Sequence, residues 1–249
     1  MSETIHTVKR AVIMAAGVGK RLRPLTLTTP KPLIRVNGVR MIDTVLSALH
    51  AHGITEIYVV IGHLKEQFLP LPMLYPGLTL IENPYYDVYN NIGSLYVARE
   101  HLEDCMILDA DQLVFNPRAL APEFTRSGYN AVWCEGETNE WLMQTEHGVV
   151  TSCSRTGGKH GWQLYSVSRW TAEDGKKLAA LTEREFLQGN RQIYWDDVPM
   201  FCHFSEFSLG VYAMQPGDVV EIDSLDELQQ IDKSYRGLSK DSEENNYGA

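Results

Sequence analysis

The segment that most constrains this chain is a glycine-rich, basic loop that directly follows a short apolar run. Residues 11–14 (Ala-Val-Ile-Met) are typical of a buried strand, and the chain continues Ala-Ala-Gly-Val-Gly-Lys-Arg-Leu-Arg-Pro. Residues 4–42 contain eight Lys or Arg and no Asp or Glu, although the whole chain has a formal net charge of -10. A basic glycine turn at the end of a first strand is suited to binding phosphate groups.

The residue types in this loop explain the expected anion binding. Gly17 and Gly19 are expected to allow positive φ and a close backbone approach, so that N–H groups point at an anion. Lys20 and Arg21 add full charges, and Lys31 follows between two prolines. The alternative is a structural glycine turn with solvated cations, which the absence of acids disfavours. The spacing matches neither a P-loop nor the dinucleotide-binding fingerprint, whose third glycine is a leucine here.

Length, charge and cysteine usage exclude several classes of protein. A chain of 249 residues is long enough for one large α/β domain or two small ones. It has no apolar run of ~18–20 residues and no signal-peptide pattern at its start, so we expect no membrane insertion. The four cysteines are scattered, which favours a reducing cytoplasm. The acidic balance argues against a nucleic-acid partner.

The first half of the chain alternates between strand-like and helix-like segments. The predicted strands are residues 11–14, 56–61, 79–82 and 105–109. The predicted helices are residues 42–52, 64–68 and 93–102. This alternation predicts an α/β fold with a parallel sheet covered by helices on both faces, in which ligands bind at the carboxyl ends of the strands.

The second half has a different character. All five tryptophans follow residue 130, and residues 163–168 and 207–212 are typical of short strands. No linker separates the halves, so we predict a single domain over residues 1–238, with an added subregion on the same sheet. Residues 223–233 are predicted as the last helix. The polar tail, residues 239–249, is predicted to be disordered.

Two acidic motifs are candidate metal ligands. Asp109 and Asp111 end a predicted strand with one residue between them, and alternation sends both side chains to the same face. Mg²⁺ is commonly held by one or two carboxylates together with substrate phosphates. Glu221 and Asp223 follow a further apolar pair and could supply another ligand. The alternatives are a capping or turn role for the first motif and the first turn of a helix for the second.

Polar amides follow the third predicted strand. Asn90 and Asn91 lie at its carboxyl end in a segment rich in tyrosine and asparagine. Asparagine amides offer both donors and acceptors, which suits recognition of the edge of a base. The alternative is that these asparagines only form turns.

Aromatic residues flanked by acids characterise the second half. Trp141 follows Glu140, and Tyr194 and Trp195 precede Asp196. Aromatic faces attract cations, and quaternary ammonium groups bind well in cages of aromatic rings. A core role is the alternative for each tryptophan, but burying the neighbouring charges is costly.

Together these motifs resemble known enzymes. The basic loop with Lys31 resembles the nucleotidyltransferases that activate sugar phosphates and alcohol phosphates. The later motifs, in this order over roughly residues 9–235, resemble the bacterial CTP:phosphocholine cytidylyltransferases. The resemblance implies a Rossmann-like nucleotidyltransferase fold, with a mostly parallel central sheet and an added acceptor-binding subregion. The CTP and Mg²⁺ side would lie mainly in residues 9–115, and the acceptor side mainly in residues 130–225.

The resemblance also assigns a reaction and roles, in which CTP and phosphocholine give CDP-choline and pyrophosphate with Mg²⁺ as cofactor. Its nucleotide-binding residues would be Ala15, Ala16, Gly17, Gly19, Lys20, Arg21, Lys31, Asn90, Asn91, Ser94 and Asp109. Its acceptor-binding residues would be Glu140, Trp141, Tyr194, Trp195 and Asp196. Lys31, Arg21 and Asp111 would be catalytic, with Lys31 stabilising charge at the α-phosphate, and Asp111 and Asp223 would hold Mg²⁺.

Three alternatives stay open. The acceptor could be phosphoethanolamine or 2-aminoethylphosphonate, because Asp196, Asp197 and Glu140 could also accept hydrogen bonds from a primary ammonium group, or it could be a sugar 1-phosphate, which does not require the aromatic and acidic residues. A non-catalytic nucleotide-binding module would keep the fold but lose the metal or lysine positions, which are present here. A choline-binding surface module would not need the basic loop. The sequence leaves the oligomeric state open.

Overall fold

Strands and helices alternate through residues 4–239, the part of the chain that this computed structural model describes. The strands are β1 (His6–Thr7), β2 (Arg10–Ala15), β3 (Arg35–Val36), β4 (Val39–Arg40), β5 (Glu56–Ile61), β6 (Leu78–Glu82), β7 (Cys105–Asp109), β8 (Gln112–Val114), β9 (Glu123–Phe124), β10 (Gly128–Thr138), β11 (Leu142–Glu146), β12 (Val149–Ser154), β13 (Gly158–Trp170), β14 (Gly210–Ala213) and β15 (Val219–Glu221). The α-helices are α1 (Met41–Ala51), α2 (Leu71–Leu74), α3 (Ile92–Ala98), α4 (Ala172–Leu187) and α5 (Leu225–Ile231).

One nine-stranded sheet joins the two halves of the chain. Its strand order is β10-β14-β12-β11-β13-β7-β2-β5-β6. The four strands from the first half are parallel, because β2 pairs in parallel with β5 and β7, and β5 with β6. The long strand β13 pairs antiparallel with β7 and continues into the strands of the second half. The predicted α/β fold is confirmed, and the added subregion extends the same sheet with mainly antiparallel strands.

Helices cover both faces of the parallel strands. In β2, Ala11 and Ile13 face α1, whereas Val12 and Met14 face α3 and α4. Strand alternation produces this division, because successive side chains point to opposite faces. Burial of each Val, Ile or Met side chain stabilises the folded state by about 1.5–3 kcal/mol. Strand β2 is therefore held by packing on both faces, and the basic loop that follows it starts from a rigid strand.

The local predictions for the first half agree with the structure. The strands predicted at residues 11–14, 56–61, 79–82 and 105–109 are β2, β5, β6 and β7, and the helix predicted at residues 42–52 is α1. The helix predicted at residues 93–102 divides into α3 and a 3-10 turn, Arg99–His101, and residues 64–68 form only a 3-10 turn, Lys65–Phe68.

The second half is more regular than the sequence pattern indicates. The short strand predicted at residues 163–168 lies inside the longer β13, and that predicted at residues 207–212 overlaps β14. Helix α4 is absent from the prediction, and the final helix is the shorter α5. Residues 240–249, in the tail predicted to be disordered, lie outside the described residues. None of the helices within residues 4–239 has the length and apolar character needed to cross a membrane.

A small third core fixes the C-terminal part beside the basic loop. Leu22 of the loop packs in one cluster with Met41 of α1 and with Ile222 and Leu228 near and within α5. Strand β15 pairs antiparallel with β8, and the backbone N–H of Ile222 donates to the Asp111 carbonyl at 3.1 Å. These contacts bring two acidic motifs together that are far apart in the sequence.

Candidate active site

The basic loop lies at the carboxyl end of β2. Gly19 has a φ of 65°, and a Cβ there would lie 3.0 Å from Thr26 Cγ2 and 3.2 Å from Lys31 Cβ. Only glycine therefore lets the loop pack this closely against Lys31. The positive φ expected for Gly17 is wrong, because Gly17 is not among the residues with positive φ. A Cβ at Gly17 would meet no atom within 4 Å, so its backbone is open to the cleft.

Two basic side chains hold two acidic ones together at the centre of the site. The Lys31 ammonium lies 2.7 Å from Asp111 Oδ2 and 2.9 Å from Asp223 Oδ1. Arg21 Nη2 is 2.8 Å from the same Asp223 oxygen. Burial lowers the pKa of Lys31, but the two carboxylates outweigh burial and leave that pKa above its ordinary value. Burial raises the pKa of Asp223, but Lys31 and Arg21 outweigh burial and leave it below its ordinary value.

A cleft of two adjoining cavities lies beside these pairs. The first, about 310 Å³, is lined by Met14, Ala15, Ala16, Gly17, Gly19, Lys20, Arg21, Lys31, Pro32, Asn91, Ser94, Asp109, Asp111 and Asp223. The second, about 370 Å³, is lined by Arg21, Asn91, Asp109, Asp111, Glu140, Trp141, Leu164, Ser166, Tyr194, Asp196, Glu221 and Asp223. Five residues line both cavities, so a group bound in one lies directly beside a group bound in the other.

The second cavity is strongly acidic. It carries six carboxyl groups and one guanidinium group. Burial, and then the carboxylates of Asp111 and Asp196, raise the pKa of Asp109 well above its ordinary value. Burial, and then the carboxylate of Asp111, raise the pKa of Glu221 to about 7. These groups resist ionisation because they lack enough positive charge nearby, so the cavity favours a bound cation.

Asp196 belongs to the wall of the second cavity that also carries aromatic rings. Its pKa is raised to about 8: burial is the main cause, the carboxylates of Asp197 and Glu221 add to it, and the Tyr129 hydroxyl opposes it. The Trp141 and Tyr194 rings lie 6.1 Å apart and perpendicular to each other. Tyr194 is 52% exposed. A carboxyl group beside two aromatic rings at a cavity wall can bind a small organic cation.

The structure separates two predicted site residues from the cleft lining. Trp195 is fully buried, and its ring stacks 6.0 Å from that of Tyr129 in the core. The predicted contact of the Trp195 ring with the acceptor is therefore corrected, and the core alternative holds. Its backbone N–H donates to Asn91 Oδ1 at 2.8 Å. Asn90 Oδ1 accepts from the Asn91 N–H at 2.8 Å, so Asn90 supports Asn91 beside the cleft.

Several cleft residues escape prediction from the sequence. Leu164 and Ser166 line the second cavity from β13. Arg155 binds Asp197 beside the aromatic wall, and Phe201 lies 5.2 Å from Trp141. The sequence carries no motif that marks Arg155 or Phe201. Alternation along the strand predicted at residues 163–168 does place Leu164 and Ser166 on the same face, but it does not show that this face lines a cavity.

The carboxylates of Asp111 and Asp223 fit a divalent metal ion. One cationic atom, the Lys31 ammonium, already lies within hydrogen-bond distance of both groups, so a single ion can bridge them. Carboxylate oxygens are the ligands that Mg²⁺ prefers, with substrate phosphates and water completing its shell. In residues 4–239, no three His, Cys, Asp or Glu side chains converge as a complete metal centre.

Comparison with known proteins places this geometry in a family. Residues 10–70 match the family described as Nucleotidyl transferase. The chain is 38% identical over 228 residues to the 2-aminoethylphosphonate cytidylyltransferase of Lancefieldella rimae, with 90% of this chain and 92% of that protein covered. It is 33% identical over 225 residues to the choline-phosphate cytidylyltransferase of Streptococcus pneumoniae, with 90% and 97% covered.

Solved structures agree with these sequence relationships. The structure of CTP:phosphocholine cytidylyltransferase from Streptococcus pneumoniae matches with a TM-score of 0.82 and 33% identity, over 90% of this chain and 98% of that one. The inositol-1-phosphate CTP transferase of T. maritima shares the fold at a TM-score of 0.72 and 17% identity, over 96% and 100% of the two chains.

The protein is thus an enzyme of the nucleotidyltransferase class, and it belongs to the nucleotidyl transferase family. Its relatives over nine tenths of the chain are cytidylyltransferases. The activity of the protein is correspondingly cytidylyl transfer to a phosphorylated substrate.

Proposed function

We propose that the protein transfers CMP from CTP to a small acceptor that carries a phosphate or phosphonate at one end and an ammonium group at the other. Pyrophosphate is the second product. The observation that carries this proposal is the junction of the two cavities, where Lys31 and Arg21 meet a wall of Trp141, Tyr194 and Asp196. A nucleotide triphosphate suits the first cavity and an organic cation suits the second.

On the nucleotide side, the loop around Gly17 and Gly19 would contact the triphosphate through its N–H groups, with Arg21 gripping a phosphate oxygen. Asn91 and Ser94 line the same cavity and would lie at the cytosine. Ser94 is buried, and its hydroxyl accepts from Asn83 Nδ2 at 3.0 Å. Its hydroxyl hydrogen then remains free to donate to a base acceptor.

Asp111 and Asp223 would hold Mg²⁺ together with phosphate oxygens. When bound, the ion neutralises negative charge on the phosphates. Lys31 and Arg21 pair with these carboxylates in the protein. Phosphate oxygens also form strong charge-assisted hydrogen bonds with Lys and Arg. A bound triphosphate would therefore give Lys31 and Arg21 new partners, and the two carboxylates would be available to hold the ion.

The transfer itself needs positioning and charge stabilisation. The acceptor oxyanion attacks the α-phosphorus of CTP in line, a new P–O bond forms, and the bond to the leaving pyrophosphate breaks. A phosphate monoester has its second pKa near ~6 and is mostly a dianion at neutral pH, so a general base is not required. The raised pKa of Lys31 keeps its ammonium protonated, so Lys31 would stabilise negative charge at the α-phosphate.

The head group of the acceptor has two candidates. Phosphocholine is favoured by the Trp141 and Tyr194 rings, because aromatic faces bind quaternary ammonium groups. 2-Aminoethylphosphonate or phosphoethanolamine is favoured by the carboxyl groups of Glu140 and Asp196 and by Ser166 in the same cavity. These groups accept hydrogen bonds, and a primary ammonium donates three whereas a trimethylammonium donates none.

The test is pyrophosphate release with Mg²⁺, measured for each of the four NTPs with phosphocholine, phosphoethanolamine, 2-aminoethylphosphonate and glucose 1-phosphate. We expect turnover with CTP and at least one ammonium-bearing acceptor. Glucose 1-phosphate is the matched control, since it offers the phosphate without the cation and should be a poor acceptor. If glucose 1-phosphate is turned over as fast as the ammonium-bearing acceptors, the cation subsite is refuted. If none of the four acceptors is turned over, the proposed reaction is refuted.

A further inference from the structure

The side chain of Arg155 lies just behind the aromatic wall of the acceptor cavity. Arg155 belongs to the turn between β12 and β13, and its side chain is 49% exposed. Its guanidinium lies 3.6 Å over the Phe201 ring and 5.9 Å from the Trp141 ring centre. A cation of the protein therefore already occupies an aromatic face next to the one offered to the acceptor.

The same guanidinium joins the two segments that build this wall. Arg155 Nε donates to Asp197 Oδ1 at 2.8 Å, and Nη2 donates to the same oxygen. The other oxygen of Asp197 accepts from the backbone N–H of Tyr194 at 2.8 Å. Asp197 is 5% exposed, so this carboxylate is buried between its two donors. The position of Tyr194 beside the cavity thus depends on Arg155 through Asp197.

The three rings around this point have unequal access to a ligand. Trp141 lies between Phe201, at 5.2 Å and 81°, and Tyr194, at 6.1 Å and 90°. Trp141 and Tyr194 line the cavity, whereas Phe201 does not. Arg155 covers Phe201 and also lies 5.9 Å from the Trp141 ring centre. A bound ammonium is therefore left with the Tyr194 ring, the cavity side of Trp141 and the Asp196 carboxyl group, and the resident cation repels it from Phe201.

We propose that Arg155 is a specificity-determining residue, which restricts the acceptor site to a small, hydrogen-bonding ammonium head group and disfavours a trimethylammonium group. This inference rests on the proposed function, because it takes the acceptor to be a cation in the second cavity. A primary ammonium satisfies Asp196 and the neighbouring acceptors without needing a third aromatic face. A trimethylammonium group has no N–H to donate and binds through aromatic faces, one of which Arg155 covers.

The experiment compares phosphoethanolamine with phosphocholine, two acceptors that differ only in three methyl groups on nitrogen. We expect the wild type to have the higher kcat/KM with phosphoethanolamine. Arg155→Ala removes both the charge and the group that covers Phe201, and it should shift the ratio toward phosphocholine by about tenfold, the size of one cation–aromatic contact. The shift should lie in the acceptor KM, with the KM for CTP unchanged. Arg155→Lys keeps the charge and should retain the preference.

Arg118→Ala is the matched control, because Arg118 is an exposed arginine outside both cavities. A wild type that prefers phosphocholine overturns the inference without any variant. An Arg155→Ala enzyme whose acceptor KM rises equally for both acceptors also overturns it, since Arg155 would then only tie the segments together. If the wild type uses neither ammonium acceptor with CTP, the proposed function fails, and that result is distinct from an unchanged ratio.

Discussion

Asp196 should make acceptor binding strongly dependent on pH. The carboxyl group is buried in the cavity wall, and burial raises its pKa to about 8. A cationic head group binds best to the ionised form, so the acceptor KM should fall as pH rises toward and past the pKa. Asp196→Asn keeps the shape of the side chain without a titrating group, and it should remove this dependence.

The size of the effect follows from the ionised fraction. With a pKa of about 8, about 1% of the Asp196 side chains are ionised at pH 6 and about 90% at pH 9. If only the ionised form binds the acceptor, the apparent acceptor affinity rises about 90-fold across this range. The apparent acceptor affinity should rise about tenfold per pH unit below pH 7 and should no longer change above pH 9.

The assay is initial-rate pyrophosphate release at saturating CTP, with the acceptor varied at each pH from 6 to 9. The acceptor phosphate also ionises in this range, but its contribution is common to the wild type and Asp196→Asn, so the ratio of their KM values isolates Asp196. A ratio that stays constant from pH 6 to 9 would refute the assignment of Asp196 to the cation subsite. A ratio that changes in the opposite direction would show that the neutral acid binds the acceptor.

Four further predictions address the metal, the lysine, the cation subsite and stability. Asp111→Asn should lower kcat on the order of 100-fold or more without altering the circular dichroism spectrum, and near-normal turnover would remove Asp111 from the metal site. Lys31→Ala should lower kcat by about 10²–10³-fold while CTP binding by calorimetry weakens much less, and the reverse pattern would make Lys31 a ground-state anchor. Trp141→Ala should raise the acceptor KM about 5–30-fold, and an unchanged KM would place its ring outside the subsite. For stability, Asp196 has a folded pKa near 8 against an ordinary 3.8, so the folded state binds the extra proton and stability falls as pH rises between these values. Asp196→Asn should therefore raise Tm more at pH 8.5 than at pH 5, and an equal increment at both pH values would contradict the buried acid.

Local patterns predicted the nucleotide half well, because its signals are short and independent of distant contacts. An apolar run, a glycine with positive φ and a cluster of cations lie within a few residues of each other around Gly19. The carboxyl ends of parallel strands lie at the same edge of a sheet, and Asn91 and Asp109, which follow or end such strands, therefore line the same cleft. Helix α4 was predictable in principle, because Thr171 caps it and apolar residues follow at helical spacing.

The remaining features depend on contacts that a single sequence does not display. Asp111 and Asp223 meet because β15 pairs with β8, and nothing local indicates that pairing or its register. Trp195 and Tyr194 are neighbours in the sequence, yet one is fully buried and the other is half exposed. The two side chains differ in exposure because the Trp195 ring packs on Tyr129 in the core, whereas the Tyr194 ring does not. Arg155 gains its role from Asp197 and Phe201, both supplied by another part of the chain.

The strand order of the nine-stranded sheet has a consequence for how such enzymes diversify. Strand β13 attaches the acceptor wall to the parallel strands along one continuous edge. The aromatic rings of that wall and the acidic residues Glu140 and Asp196 lie between positions 140 and 201. The basic loop and the carboxylates that we propose for the triphosphate side lie before position 112 or after position 220. Under the proposed function, most of the acceptor preference would be carried by one contiguous block of sequence. Exchange of that block between relatives, by recombination or by design, would transfer the preference while leaving the chemistry of nucleotide activation in place.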